Sequence, residues 1–258
     1  MSLRIDVLTL FPELVAPYTE TSIVGRAAER GLVSFGIHSF RDYAPPPHHH
    51  VDDTPYGGGG GMVLKPDPVI ACVRGLEAYD EKSRVIVLAA RGRPWRDADA
   101  REIADAGGHV VILCGRYEGI DQRIVDVLGA EEVSIGDFVV SGGEVGACAV
   151  LDSIVRLIPE ATGDDSARES DSYGDGLLEY PHYTRPPEFE GHSVPPELLT
   201  GDHAKVARWR RDRSLEQTLK VRPDLLLAAW EAGRLDKADL KALAALGWNP
   251  PGKSSETP

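Results

Sequence analysis

Three short apolar runs limit this chain more than any other feature. Arg84-Val-Ile-Val-Leu88, Val110-Val-Ile-Leu-Cys114 and Val133-Ser-Ile135 alternate with helical patterns at 97–106, 120–128 and 147–158. Strands that are apolar on both faces must be covered on both faces, so runs of this kind separated by helices predict a parallel α/β sheet. Two further strands are expected at the start: the apolar run Leu3–Leu10, and Val33, Phe35 and Ile37 alternating with Ser34, Gly36 and His38. Each of the three central runs ends in a glycine-bearing turn: Ala90-Arg-Gly-Arg93, Gly115-Arg-Tyr-Glu-Gly119 and Gly136-Asp-Phe-Val-Val-Ser-Gly-Gly143. Parallel sheets receive ligands beyond the carboxyl ends of their strands, so these turns are where a pocket is expected.

Composition narrows the class. The chain has 258 residues, 42% of them hydrophobic and 7% aromatic, with a net charge of −13. Those values fit a folded protein of one large or two smaller domains and exclude a wholly disordered chain. No apolar run approaches the roughly 18 residues of a membrane helix, and the first twenty residues lack a signal-peptide pattern. Cys72, Cys114 and Cys148 lie far apart and are read as reduced core thiols of a cytoplasmic protein.

Residues 160–179 carry seven acidic residues and few apolar ones, the composition of a linker, so a domain boundary is expected there. Beyond it stand Pro181-His-Tyr-Thr-Arg-Pro-Pro187 and a helix capped by Asp202. In residues 203–222, Lys205, Arg208, Arg210, Arg211, Arg213, Lys220 and Arg222 outnumber Asp212 and Glu216, a local charge of +5. Such a run is usually a solvated helix face; five cations within nine residues beside Trp209 raise the case for phosphate contact.

Several apparent motifs fail on inspection. Gly57–Gly61 is followed by Met62-Val-Leu-Lys65, so it is not a P-loop, and Phe11-Pro-Glu13 follows the first strand where a dinucleotide fingerprint would need glycines. A flexible loop, or one closing over a substrate, both remain open. His48, His49 and His50 are consecutive and lack metal-ligand spacing. Residues 136–143 read equally as a tight connection or as a ligand pocket, and spacing does not separate Asp171 from its acidic neighbours.

Taken together the segments resemble one family. Leu10-Phe-Pro-Glu13, Gly25-Arg-Ala27, Val51-Asp-Asp-Thr-Pro-Tyr-Gly-Gly-Gly59, Cys114-Gly-Arg-Tyr-Glu-Gly-Ile-Asp121, Ser134-Ile-Gly-Asp-Phe-Val-Val-Ser-Gly-Gly-Glu144, Pro181-His-Tyr-Thr-Arg-Pro186, Arg208-Trp-Arg210 and Ser214-Leu215 occur in its order. The chain resembles the bacterial tRNA (guanine-N1)-methyltransferases, the TrmD family of knotted SPOUT enzymes. The resemblance implies an α/β parallel sheet with a deep trefoil knot over residues 1–160, a flexible linker at 161–180 and a helical tRNA-binding domain at 181–258. It implies a homodimer whose active sites are each shared between chains. It also implies methyl transfer from S-adenosylmethionine to N1 of the guanosine immediately 3′ of the anticodon, position 37 of tRNA.

The family's functional residues carry over by position. The cofactor would be held by Leu88, by Gly115, Tyr117 and Glu118, by Ile135, Gly136, Asp137, Phe138, Val139 and Val140, and by Gly142 and Gly143. Asp171 would be the general base and Arg156 the cation facing charge on O6, with Glu118 a further candidate through Mg²⁺. The +5 stretch would grip the anticodon stem-loop, and tRNA would order the linker. Gly60 and Gly146 stand where the family commonly has proline. The competing expectations are a SPOUT enzyme acting on another RNA and a non-catalytic RNA-binding module.

Overall fold

The computed structural model describes residues 3–163 and 167–251. The chain divides into two compact units, Met1–Asp165 and Ser166–Pro258.

In the first unit β1 (Leu3–Thr9) is followed by α1 (Ala16–Thr19), α2 (Ser22–Glu29), β2 (Val33–Ser39), β3 (Asp52–Asp53), β4 (Val63–Leu64), α3 (Pro66–Arg74), β5 (Arg84–Pro94), α4 (Asp97–Ala106), β6 (Gly108–Cys114), α5 (Gln122–Leu128), β7 (Glu131–Ser134) and α6 (Glu144–Val155). Five strands form one sheet in the order β2-β1-β6-β5-β7, every pair parallel. The expected parallel α/β sheet is therefore present. Its two faces carry separate cores. Ile5, Val7, Ile86 and Ile112 pack with Val150, Leu151 and Ile154 of α6 on one side. Leu8, Val87, Val111 and Leu113 pack with Val69, Val73 and Ile124 on the other.

Several boundaries differ from expectation. The sequence of residues 42–65 shows no packed element, yet β3 and β4 pair there (Asp52 opposite Leu64), and Val51 and Leu64 are buried. Val51 stands alone among polar residues, and Met62-Val-Leu64 is too short to give a periodic signal. The helix expected from Ala147 begins at Glu144, because the Gly143 carbonyl already accepts from Ala147 N at 2.8 Å. β5 runs on to Pro94 but breaks its ladder: Val133 pairs with both Leu88 and Arg93, and the residues between leave the sheet. Gly92 lies on the β7 backbone there, where a Cβ would come within 2.4 Å of Val133 N.

One polar cluster sits inside this unit. Asp6 is 1% exposed and accepts from His109 Nε2 (2.8 Å), His38 Nε2 (2.7 Å) and the Arg4 guanidinium (2.7 and 3.0 Å). Gly36 makes room for it, since a Cβ would overlap the Asp6 carboxylate. Burial disfavours the Asp6 anion, but the hydrogen bonds from His109, His38 and Arg4 outweigh it and hold the carboxyl far below the ordinary range.

In the second unit α7 (Ala167–Ser170) is followed by a two-stranded ribbon, β8 (Glu188–Phe189) and β9 (His192–Ser193), then α8 (His203–Val221), α9 (Pro223–Glu231) and α10 (Lys237–Ala245). Asp202 caps α8 as expected, accepting from Ala204 N at 3.1 Å and Lys205 N at 3.2 Å. Leu177, Leu215, Leu226, Ala229 and Leu243 form the core. Leu177 lies within the segment expected to be a linker, yet it is buried, and Tyr173 N donates to its carbonyl at 2.7 Å. Part of that segment, residues 164–166, lies outside the described residues.

The basic stretch is largely neutralised within this unit. Arg208 and Arg211 both pair with buried Asp239, Arg208 also with Asp212, and Arg213 with Glu216 at 2.6 Å. Three of its seven cations thus serve the helical fold, Arg222 pairs with Asp224 at 2.7 Å, and Lys205 lies 3.8 Å from Asp202.

Removing the charge at Asp6 tests the polar cluster. Asp6→Asn should lower unfolding stability at neutral pH by about 3 kcal/mol, since it strips a buried charge network of its anion. The folded carboxyl is depressed, so its contribution is complete above the unfolded value of about 3.9 and is lost as pH falls below it. Denaturant unfolding of wild type and variant from pH 7 to pH 3 checks this; a gap that is small at pH 7, or that widens on acidification, would refute it.

Candidate active site

The carboxyl ends of β5, β6 and β7 enclose a cavity of about 340 Å³, within the range of small-molecule sites. Three segments build it. After Leu88 the broken ladder turns Ala89, Ala90 and Arg91 into the wall. After Cys114 come Gly115–Ile120, and after Ser134 comes the turn that ends at Gly143.

The second and third segments are locked together. Gly143 N donates to the Gly115 carbonyl at 2.9 Å, and Arg116 and Gly142 form an antiparallel bridge. Contact is so close that a Cβ at Gly143 would lie 2.7 Å from Cys114 Cα. At Gly142 it would lie 2.2 Å from Arg116 Nε and 2.4 Å from Glu144 Oε2. Both glycines are therefore steric requirements of the cavity.

Beneath the turn lies a buried ion pair. Arg116 Nη2 stands 2.9 Å from Glu144 Oε2 (an ionic contact outside hydrogen-bond alignment), and its Nε donates to Oε1 at 3.2 Å. Glu144 is 2% exposed and also accepts from Thr9 Oγ1 at 2.6 Å. Arg116 donates to the Ser141 carbonyl at 3.2 Å and stacks over Phe11, its Cζ 4.5 Å from the ring centre. One carboxylate thus ties the end of β1 to both glycine segments.

The glycine-rich loop approaches from another side. Glu118 N donates to the Met62 carbonyl and Leu64 N to the Gly119 carbonyl, both at 3.0 Å. Gly61 has φ +86°, and the Glu118 carboxylate occupies the space a Cβ would take. Gly57–Gly60 have nothing within 4 Å of a Cβ position. Tyr117 holds the left-handed region at φ 59°, a conformation side chains rarely adopt and one that clusters at functional sites.

Most of the expected binding residues meet here. Leu88, Gly115, Tyr117, Glu118, Ile135, Phe138, Val139, Val140, Gly142 and Gly143 all line the cavity. Gly136 and Asp137 lie in the same turn without lining it; the Gly136 carbonyl instead accepts from Ser134 Oγ at 2.9 Å and Phe138 N at 2.9 Å. Arg156 is an exposed residue at the C-terminal cap of α6, and Asp171 is half-buried directly after α7, in the other unit. Sequence reading did not single out Arg116 and Glu144 as site residues. The available signal was a charged pair at Arg116, between glycines, and Glu144, opening an otherwise apolar helix.

The donor set suits a partly apolar nucleoside. Leu88, Ile135 and Val140 offer apolar walls, and the glycine turns bring backbone N–H and C=O groups to the surface without side chains in the way. Among the described residues no group of three His, Cys, Asp or Glu comes together to hold a metal. No described helix is long and apolar enough to cross a membrane. The thiols are free; burial pushes Cys72 up to about 12 and Cys114 well above its ordinary value.

The sequence matches the family described as tRNA (guanine-1)-methyltransferase TrmD over residues 3–228. It is 49% identical over 245 residues to a tRNA (guanine-N(1)-)-methyltransferase of Geobacter metallireducens, covering 95% of this chain and 98% of the relative. It is 50% identical over 242 residues to the protein of that name from Dehalococcoides mccartyi, covering 93% and 96%. A relative of the same name from Deinococcus radiodurans is 48% identical over 249 residues, covering 96% and 87%. With the strand-end cavity and this similarity along nearly its whole length, the chain belongs to the tRNA (guanine-1)-methyltransferase family.

Proposed function

We propose that this protein methylates N1 of the guanosine immediately 3′ of the anticodon in tRNA, using S-adenosylmethionine bound in the strand-end cavity. The observation that carries the reading is the cavity itself, whose two indispensable glycines and apolar walls match the expected cofactor contacts in a chain of this family. Bound there, S-adenosylmethionine would supply a methyl carbon made electrophilic by a sulfonium sulfur.

The residues' tasks follow from guanine chemistry. N1 carries a proton, and its lone pair is delocalised into the ring, so the proton must leave as the new N–C bond forms. Asp171 accepts that proton as general base. Electron density pushed towards O6 faces the Arg156 guanidinium, a fixed cation aimed at developing charge. Glu118 lies beside Gly61 at the cavity edge, where it orients the substrate. A Mg²⁺ there would take most of its ligands from water or substrate oxygens.

The reading needs Arg156 and Asp171 at one purine. A homodimer in which each site draws on two chains provides this. Exposed apolar side chains on the cavity turn and α6 support such an interface: Val139 is 85% exposed, Val145 65% and Phe138 56%. The broken β5 ladder and interlocked glycine segments are consistent with a deep trefoil knot. The proposed setting is the cytoplasm, and the segment bearing Asp171 settles around the bound tRNA, so that catalysis awaits the correct substrate.

Methyl transfer to unmodified tRNA transcripts with and without a guanosine after the anticodon, followed by nucleoside mass analysis, tests the reaction. Product other than N1-methylguanosine at that position refutes it. Asp171→Asn should cut kcat by about 10²–10⁴-fold, and Arg156→Gln by about 10²–10³-fold, while calorimetric S-adenosylmethionine binding stays near wild type. Activity surviving in Asp171→Asn would remove the general base.

The dimer is tested separately. Val145→Asp, a change outside the cavity lining, should yield a monomer by sedimentation and abolish turnover. A wild-type protein that sediments as a monomer while fully active would overturn the shared site.

A further inference from the structure

The second unit has a cavity of its own. It measures about 710 Å³ and lies among the 180–187 segment, the turn at Pro196–Leu199 and the first half of α8. It is separate from the Leu177–Leu243 core of this unit. Its walls are aromatic and cationic. The Tyr183 and Trp209 rings meet edge-on at 6.1 Å, and the Tyr180 and His182 rings lie 4.8 Å apart. Arg210 stacks over Tyr180, its Cζ 4.9 Å from the ring centre. Tyr183 is 49% exposed.

Charge sets this cavity apart from the rest of α8. Arg208, Arg211 and Arg213 are held by carboxylates of the same unit. Arg210 and Arg185, both at the cavity, are exposed, and neither has a carboxylate partner among the described residues. The helix thus directs uncommitted positive charge to its aromatic pocket. Pro181, Pro186 and Pro187 stiffen the facing wall, so little ordering is required on binding.

We propose that this cavity receives one unstacked nucleobase of the tRNA, stacked against Trp209, with its phosphate beside Arg210 and Arg185. The proposal rests on the tRNA-modifying reading above and adds a second point of grip. Flat aromatic faces next to guanidinium groups are the surface that single-stranded RNA bases use, since every base has a π-face and a neighbouring phosphate. A helical peptide or a second copy of the chain would call for an aliphatic groove, whereas the aliphatic side chains here (Val194, Leu198, Leu199, Val206) form only part of the lining.

The test compares Trp209→Phe with Trp209→Leu in the full-length protein, measuring tRNA affinity at one fixed salt concentration. Trp209→Leu should weaken binding about ten- to a hundredfold, the range of one lost stacking contact. Trp209→Phe should stay within about threefold, because it keeps a π-face. The emission difference between wild type and Trp209→Phe should be quenched by tRNA and not by a blunt RNA duplex of equal length. Equal affinity of the Leu and wild-type proteins, equal quenching by duplex, or a changed oligomeric state in Trp209→Leu would each overturn the receptor. Normal N1 methylation alongside such a result sinks the receptor alone. The predicted affinity pattern with no methylation of any tRNA guanine sinks the functional reading instead.

Discussion

The ion pair between Arg116 and Glu144 holds the candidate active site together. Neither charge could lie under the cavity floor alone, because an unpaired buried charge costs several kcal/mol. Paired, they reach three places at once: Thr9 at the end of β1, Ser141 in the turn before α6, and Phe11, over which the guanidinium stacks. The glycines follow from this pair. Gly142 has no side chain because the guanidinium and carboxylate fill that space, and Gly143 has none because the Cys114 backbone does.

The same economy appears in the second unit, with a different outcome. Asp239 is buried and collects Arg208 and Arg211, which joins α8 to α10 and removes two cations from the surface. Charge counted along α8 therefore overstates the charge left unpaired. Among the described residues α8 leaves Arg210, beside aromatic rings, and Lys220 without a carboxylate partner. How much positive charge this unit leaves unpaired depends on which arginines are already engaged, more than on how many there are.

Much of the fold was legible in the sequence. Uninterrupted Val, Ile and Leu runs allow little besides a sheet covered on both faces, and the two cores lie on opposite faces of that sheet. The Asp202 cap was legible because side-chain capping is local. The start of α6 was misjudged because glycine is a poor helix signal, while here Gly143 is fixed by contacts 28 residues away. Val51 and Leu64 were missed for a similar reason: Val51 stands alone among polar residues, Met62-Val-Leu64 is only three residues long, and the pairing of β3 with β4 accompanies their burial.

For the site, local chemistry in the sequence determined which turns would matter, since a glycine-bearing strand end in a parallel sheet has few other uses. Resemblance to a family added the residues within them, and ten of the twelve expected binding positions line one cavity. The tertiary structure alone decided that β5 breaks its ladder after Leu88, that Arg116 and Glu144 brace the floor, and that Trp209 and Arg210 share a cavity with the proline-rich segment. These depend on residues far apart in the chain meeting at ångström distances. Composition and periodicity report what a residue prefers nearby, and they carry no record of which distant partner it finds.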